Sequence, residues 1–199
     1  MISRFLLIRH APHAEMNRIL TGRSTGISLD AHGRREAARL ADRLSHQAID
    51  ALFTSPRERA RETAEAIAAK HASLHVQVSD ALDEVEFGRW AGVSFDALQA
   101  DPLWRRWNEA RSTVRAPGGE TMAEVQARAL RLIGSLADSS PGSTIVLVTH
   151  AEVVRAVACH ALGLSLDEWH RIEVAPASVS RLSVADGSLR FEASRPGPD

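Results

Sequence analysis

The hydrophobic positions of this chain fall into short apolar runs, separated by longer segments in which apolar residues recur at helical spacing. The short runs predict strands at residues 5–8, 50–54, 74–78, 144–149, 178–184 and 188–193. The helical spacing predicts helices at 34–44, 56–70, 122–136 and 153–162, with one or two short helices within 94–111. Pro56 suits a first helical turn, and Ser55 is the expected cap of that helix.

The alternation of strands and helices predicts an α/β fold. We expect a three-layer sandwich with a mainly parallel central sheet and helices on both faces. Asp186-Gly187 lies between the last two strands and is a hairpin signal, which predicts an antiparallel hairpin at one edge of the sheet. No linker or repeat divides the chain, so we predict a single domain over residues 1–199. The tail at 195–199 is expected to be frayed.

Composition and charge narrow the class of protein. A chain of 199 residues that is 44% hydrophobic can bury a sizeable core. Its net charge of −1 gives no indication of a nucleic-acid or membrane partner. A single cysteine, Cys159, excludes an internal disulfide framework. No apolar stretch approaches the length of a membrane span or of a secretory signal. We therefore expect a soluble, cytoplasmic protein.

Two strands end in a histidine. Arg9-His10 follows the first apolar run directly, and His150 follows the run at 144–149. Ligands of parallel α/β sheets bind at the carboxyl ends of the strands. A guanidinium next to an imidazole there suits the capture of a phosphate group and nucleophilic attack on it.

Four segments in a fixed order add to these histidines: residues 7–10, 54–64, 82–92 and 148–155. Together they resemble the histidine phosphatase superfamily, which includes cofactor-dependent phosphoglycerate mutases and acid-type phosphatases. The resemblance covers about residues 4–160, and the ordered set is far more specific than any one segment. The turn at 117–121 also matches this family.

The resemblance implies a role for each of five residues. His10 would be the nucleophile that becomes phosphorylated. Arg9 and Arg59 would hold the phosphoryl oxygens, and His150 would be the second imidazole beside the phosphate. Glu84 would give a proton to the leaving oxygen. A metal site would be expected to show paired i, i+4 histidines or nearby carboxylate ligands, which neither His10 nor His150 has, so we expect no metal and no other cofactor.

The chain departs from the family pattern at several positions. Ala11 stands where a glycine is usual, and Met16 stands where an asparagine is common, with Asn17 one residue later. Glu152 replaces the second of two small residues that usually follow the later histidine, and Ala91 replaces a glutamate. A carboxylate at position 152 would be unfavourable near an anion unless it points away.

Two assignments stay open at the level of sequence. Asp83 or Glu86, which flank Glu84, could be the acid instead. The segment at 104–115 has two tryptophans and four arginines. It is either an amphipathic helix with its tryptophans packed inward or a lid that selects the leaving group.

The sequence thus predicts a metal-independent phosphomonoesterase that acts on a small phosphorylated metabolite through a phosphohistidine. A mutase of the phosphoglycerate type and a non-catalytic protein that binds a phosphate ligand are the alternatives. The expected partner is the substrate alone, with no nucleic acid and no membrane. Oligomeric state is open, with a homodimer as one option.

Overall fold

A six-stranded sheet forms the centre of the molecule, which is known from a computed structural model that describes residues 1–192. The strands are β1 (Ser3–Arg9), β2 (Ala51–Thr54), β3 (Val76–Val78), β4 (Thr144–Thr149), β5 (Val179–Ala185) and β6 (Ser188–Glu192). Their order across the sheet is β3-β2-β4-β1-β5-β6. The first four are mutually parallel, and β5 and β6 add an antiparallel pair at one edge. The predicted fold class is confirmed.

The turn between β5 and β6 follows from its two residues. Asp186 and Gly187 both have positive φ, 49° and 73°. Two successive residues with positive φ define the turn type whose twist matches that of a two-residue hairpin, and the Asp-Gly pair adopts it at little cost. The hairpin prediction at this edge is confirmed.

Within residues 1–192 there are six helices: α1 (Ala31–Leu44), α2 (Glu58–Ala68), α3 (Phe95–Ala100), α4 (Pro102–Glu109), α5 (Met122–Ser139) and α6 (Ala151–Ala161). Short 3-10 turns lie at Asp80–Leu82, Gly88–Trp90 and Leu166–Arg171. None of the helices in the described part of the chain is long and apolar enough to cross a membrane.

Alternate residues of the central strands supply two separate cores. Leu6 and Ile8 of β1 pack with α1 and α2 on one face of the sheet. Phe5 and Leu7 point to the other face, where they pack with α5 and α6. Because successive strand side chains point to opposite faces, a buried parallel strand must be apolar throughout. This requirement explains the unbroken apolar runs of β1 and β4.

Three local predictions need correction. Ser55 does not cap α2, because the helix begins only at Glu58 with Arg57 at the cap position and no side-chain cap. The last long helix begins at Ala151 rather than 153, so His150 is its cap residue. The 3-10 turn at Leu166–Arg171 was not predicted. Residue 193 and the tail at 195–199 lie outside the described residues.

Candidate active site

Three neighbouring strands end at the same edge of the sheet, and each is followed by a polar side chain of the site. Strands β1 and β4 pair in register, Arg9 opposite Thr149, so His10 and His150 emerge side by side. Their ring centroids lie 5.1 Å apart. On the other side of β4, Thr54 pairs with Val148, and Ser55 follows it. The parallel sheet therefore places the two histidines together although 140 positions separate them in the sequence.

The protonation of His10 is set by its surroundings. Nδ1 lies 2.8 Å from the carbonyl oxygen of Ala11, to which it donates, so Nε2 carries the lone pair. Arg59 Nε donates to that Nε2 over 3.2 Å. Burial, and next the Arg59 charge, hold the pKa of His10 well below its ordinary value. His10 is thus a neutral imidazole with its lone pair facing a guanidinium, as a nucleophile for an anionic centre requires.

Two arginines keep donors free beside this imidazole. Arg59 belongs to the first turn of α2 and is 1% exposed, yet its Nη1 is buried without a hydrogen-bond partner among the described residues. Arg9 donates from Nη1 to the Val174 carbonyl over 2.7 Å, while its Nε is likewise buried without a partner there. Unpaired buried donors of charged groups are costly, so their presence indicates a site built for an anion.

A chain of hydrogen bonds holds His150 from behind. Its Nε2 lies 2.7 Å from Ser55 Oγ, and that hydroxyl reaches Asp83 Oδ1 at 3.3 Å. Asp83 is fixed in turn by an ion pair with Arg57 Nε at 3.0 Å. The Asp83 carboxylate therefore supports the site from behind: it accepts from Ser55, which holds His150, and from the Glu84 N–H over 2.8 Å.

Glu84 is the carboxyl that faces the histidines. Its Oε2 lies 3.6 Å from His150 Nδ1, and its side chain is 13% exposed. Burial raises the pKa of Glu84 to about 7, although the nearby Arg59 guanidinium acts in the opposite direction. A carboxyl with such a pKa is partly protonated at neutral pH and can serve as a general acid. Of the three acidic candidates, Glu84 is the one whose carboxyl group faces the two histidines.

The loop that carries Glu84 is fastened to the turn at 117–120 by close backbone contacts. A side chain on Gly119 would place its Cβ 1.8 Å from the Glu86 carbonyl oxygen, so only glycine fits there. Glu120 completes the contact, because its N–H donates to that carbonyl over 2.8 Å and its carboxylate accepts from the Glu86 N–H over 3.0 Å. Arg128 of α5 donates to the Glu84 carbonyl over 3.1 Å. These contacts fix the acid loop against α5.

A cavity of about 330 Å³ opens above these residues. His10, Arg9 and Glu84 line its inner end. The remaining wall comes from the loop after β1, from α4 and the turn that follows it, from α6, and from Trp169. The volume suits a small ligand.

The chain is similar to known proteins over nearly its whole length. A model of the histidine phosphatase superfamily (branch 1) matches residues 5–195. The chain belongs to this family.

Individual members of the family resemble the chain over most of its length. Phosphoserine phosphatase 1 of Hydrogenobacter thermophilus is 31% identical over 171 residues, which cover 83% of this chain and 79% of that protein. The structure of a mycobacterial glucosyl-3-phosphoglycerate phosphatase complexed with VO₃ has a TM-score of 0.85 at 27% identity and covers 96% of this chain and 97% of that one. A bifunctional protein of Mycobacterium tuberculosis is 32% identical over 182 residues, and the chain spans about half of it (49%).

The positions that depart from the family pattern are accommodated in different ways. Ala11 is completely buried, and its N–H donates to Thr63 Oγ1 over 3.0 Å, so the extra methyl group fits. Asn17 is exposed at the rim of the cavity, and Met16 Sδ lies 3.8 Å from Arg9 Nη2. Glu152 does face the cavity, but it is paired with Arg111 and Arg155.

The segment at 104–115 has the burial pattern of the predicted amphipathic helix, and it also lines the cavity. Trp104 and Trp107 are buried, at 7% and 1% exposure, while Arg105 and Arg106 are exposed, as an amphipathic helix requires. Arg111, however, is 3% exposed and lines the cavity. This segment is therefore part of the core on one side and part of the cavity wall on the other.

Sequence reasoning missed the role of Ser55 behind His150 and the roles of Glu120 and Arg128 in fixing the acid loop. A signal existed for Ser55, because it follows a strand that ends at the same edge as β1 and β4. No comparable signal marks Glu120 or Arg128, which act on main-chain atoms distant in sequence.

Proposed function

We propose that the protein hydrolyses phosphate monoesters of small metabolites through a phosphohistidine at His10, without a metal ion. The observation that carries this proposal is the neutral His10, whose Nε2 lone pair accepts from Arg59 Nε, together with the unpaired donors Arg59 Nη1 and Arg9 Nε. A phosphoryl group spreads its charge over three equatorial oxygens in the transition state, so guanidinium donors at those positions lower the barrier. Family membership supports phosphatase activity in general.

In the first step, Nε2 of His10 attacks phosphorus in line with the departing oxygen. Arg59 then exchanges its contact with Nε2 for one with a phosphoryl oxygen, as does Arg9 with its free Nε. An alkoxide is a poor leaving group in water, and Glu84 supplies the proton that it needs. Nitrogen–phosphorus bond formation and oxygen–phosphorus cleavage leave the alcohol free and His10 phosphorylated.

In the second step, water attacks the phosphohistidine. Glu84, now a carboxylate, accepts a proton from that water, so the group that was the acid becomes the base. Ser55, itself held by Asp83, accepts from the Nε2–H of His150 and so orients this ring beside the phosphoryl group. Inorganic phosphate leaves, and the enzyme returns to its starting state.

Turnover of para-nitrophenyl phosphate by the wild-type protein and its His10→Ala variant tests the proposal. We expect activity that survives an excess of EDTA and is abolished by His10→Ala. A matched control is His32→Ala, because His32 is exposed on α1 and lies outside the cavity. Complete loss of wild-type activity in EDTA, restored by a divalent ion, would contradict the mechanism.

A further inference from the structure

Three charged side chains form a cluster on the cavity wall. Glu152 lies between two arginines: one carboxylate oxygen accepts from Arg111 Nη1, and the other accepts from Arg155 Nη1 over 2.8 Å. Burial by itself would raise the pKa of Glu152, but the two guanidiniums outweigh burial and leave the pKa below its ordinary value. Glu152 is therefore ionised, and two cations share one anion. The cluster has a net charge of +1.

Arg111 is held rigidly and forms an ion pair with Glu152. Its guanidinium lies between two indole rings, 4.1 Å from the centroid of Trp107 and 3.7 Å from that of Trp169. Its Nη2 donates to Asn108 Oδ1 over 2.8 Å. A guanidinium stacked on both faces has little freedom to turn towards a ligand. Arg111 thus neutralises Glu152 and leaves the second positive charge of the cluster to Arg155.

Arg155 has one edge free. Its Nε donates to the Ile172 carbonyl over 3.2 Å, and its Nη1 is used by Glu152. Within residues 1–192, its Nη2 has no hydrogen-bond partner, and that atom is not among the buried unpaired ones. The side chain is 21% exposed and lines the cavity. Arg155 Nη2 is therefore a charged donor available to a ligand, and Arg111 Nε, buried without a hydrogen-bond partner among the described residues, is a second unpaired donor of the cluster.

Arg155 and Arg9 are anchored to the same short main-chain segment and line the same cavity. Arg9 Nη1 donates to the Val174 carbonyl, and Arg155 Nε donates to the Ile172 carbonyl two residues earlier. Burial, and next the charge of Arg155, lower the pKa of Arg9, which places the two guanidiniums close enough to interact. One small ligand in this cavity can therefore contact both arginines.

We propose that Arg155 binds a carboxylate on the leaving group, so that phosphate esters of small hydroxy acids are the preferred substrates. This proposal rests on the proposed function of the same cavity. One net positive charge and one free guanidinium edge match a monoanionic carboxylate. Both oxygens of Glu152 already accept hydrogen bonds from arginines, so recognition of an ammonium group by Glu152 is disfavoured.

Four phosphate esters separate the carboxylate from other features of the leaving group. 3-Phosphoglycerate and glycerol 3-phosphate differ by a carboxylate in place of a hydroxymethyl group. Phosphoserine and phosphoethanolamine differ by a carboxylate in place of a hydrogen, and both carry an ammonium group. Wild-type kcat/KM is expected to favour the carboxylated member of each pair by about tenfold to a hundredfold, the usual worth of a charge-assisted hydrogen bond.

The preference can be expressed as the ratio of kcat/KM for the carboxylated ester to kcat/KM for its partner without the carboxylate. Variants that change the charge of the cluster should change this ratio in opposite directions. Arg155→Gln should bring it close to unity in both pairs, and Arg155→Lys should restore part of it. Glu152→Gln should raise it, because the cluster then carries two uncompensated charges. General damage to the fold cannot raise a substrate preference. Arg106→Gln is the matched control, since Arg106 is an exposed arginine of α4 outside the cavity, and should leave the ratio unchanged.

Calorimetric binding of the same four esters to the His10→Ala variant provides a readout that does not require turnover. If no ester is hydrolysed but the carboxylated ones bind more tightly through Arg155, the proposed function fails and the subsite stands. If the esters are hydrolysed with a ratio near unity, or if Arg155→Gln leaves the ratio intact, the subsite is refuted. Preference for phosphoethanolamine over glycerol 3-phosphate that disappears in Glu152→Gln would show ammonium recognition instead.

Discussion

The two ends of the cavity are built in different ways. At the phosphate end, His10, His150 and Ser55 follow three adjacent strands, whose hydrogen-bonded register fixes their spacing. At the leaving-group end, Arg111 follows α4, Arg155 lies on α6, and packing of indole rings rather than a sheet brings them together. The first end is fixed by the backbone and the second by side chains.

Loss of a phosphate-end cation should have the largest effect and should not depend on the substrate. Arg59→Gln removes the buried guanidinium between the two histidines. We expect kcat/KM to fall by about 10³ to 10⁵, as for other arginines that stabilise a transferred phosphoryl group. Rates measured on an aryl and an alkyl phosphate should fall equally. A loss confined to one of them would mean that Arg59 belongs to the leaving-group end.

Loss of the proton donor should have a smaller effect that depends on the leaving group. Glu84→Gln should slow alkyl phosphates by about 10² to 10⁴, the usual worth of a general acid. It should slow para-nitrophenyl phosphate much less, because nitrophenolate leaves without a proton. Parallel kcat measurements on the two substrates check this expectation.

The neighbours of Glu84 serve as controls for that assignment. Asp83→Asn weakens the support behind His150, so both substrates should lose activity to the same extent. Glu86→Gln should leave the ratio of the two rates unchanged. If the selective loss on alkyl phosphates appeared at Glu86, the acid would be assigned to the wrong residue.

The Glu84 carboxyl should also make the free energy of unfolding depend on pH, and this is the smallest of the expected effects. The folded-state pKa of Glu84 is about 7, above its ordinary value of 4.5, so the folded protein binds more protons than the unfolded chain between those values. Stability must then fall as pH rises through this window, by ~3 kcal/mol in total. The Glu84→Gln variant should lack this contribution.

Urea unfolding of both proteins at several pH values measures this difference. The free energy of unfolding of the wild type, relative to the variant, should decrease from about pH 4.5 to about pH 7 and then level off. A constant difference between the two proteins would mean that the pKa of Glu84 is not raised.

The end of the cavity that is built from strand ends could be predicted from the sequence, and the other end could not. His10 and His150 were predictable because each directly follows an apolar run, and parallel strands bring their ends together. The sheet and its edge hairpin followed from unbroken apolar runs and from Asp186-Gly187.

The rest depended on contacts that leave no local pattern. Ser55 after a strand and before Pro56 has the pattern of a helix cap, and only the position of His150 across β4 explains its actual partner. Glu152 and Arg155 have the i,i+3 spacing of a helical ion pair, but Arg111 joins them through tertiary packing from 41 positions before Glu152. The spacing along the chain therefore indicates the pair and not the cluster of three.

Detection of the phosphorylated enzyme tests the central claim most directly. The protein is mixed with a phosphate ester, denatured in alkali, which preserves phosphohistidine, and digested for mass spectrometry. We predict that the peptide containing His10 gains the mass of one phosphoryl group on that residue, and that Glu84→Gln accumulates this species with para-nitrophenyl phosphate because the water step lacks its base. Rapid turnover with no phosphoryl group on His10 at any time point, or with the group on another residue, would contradict the account.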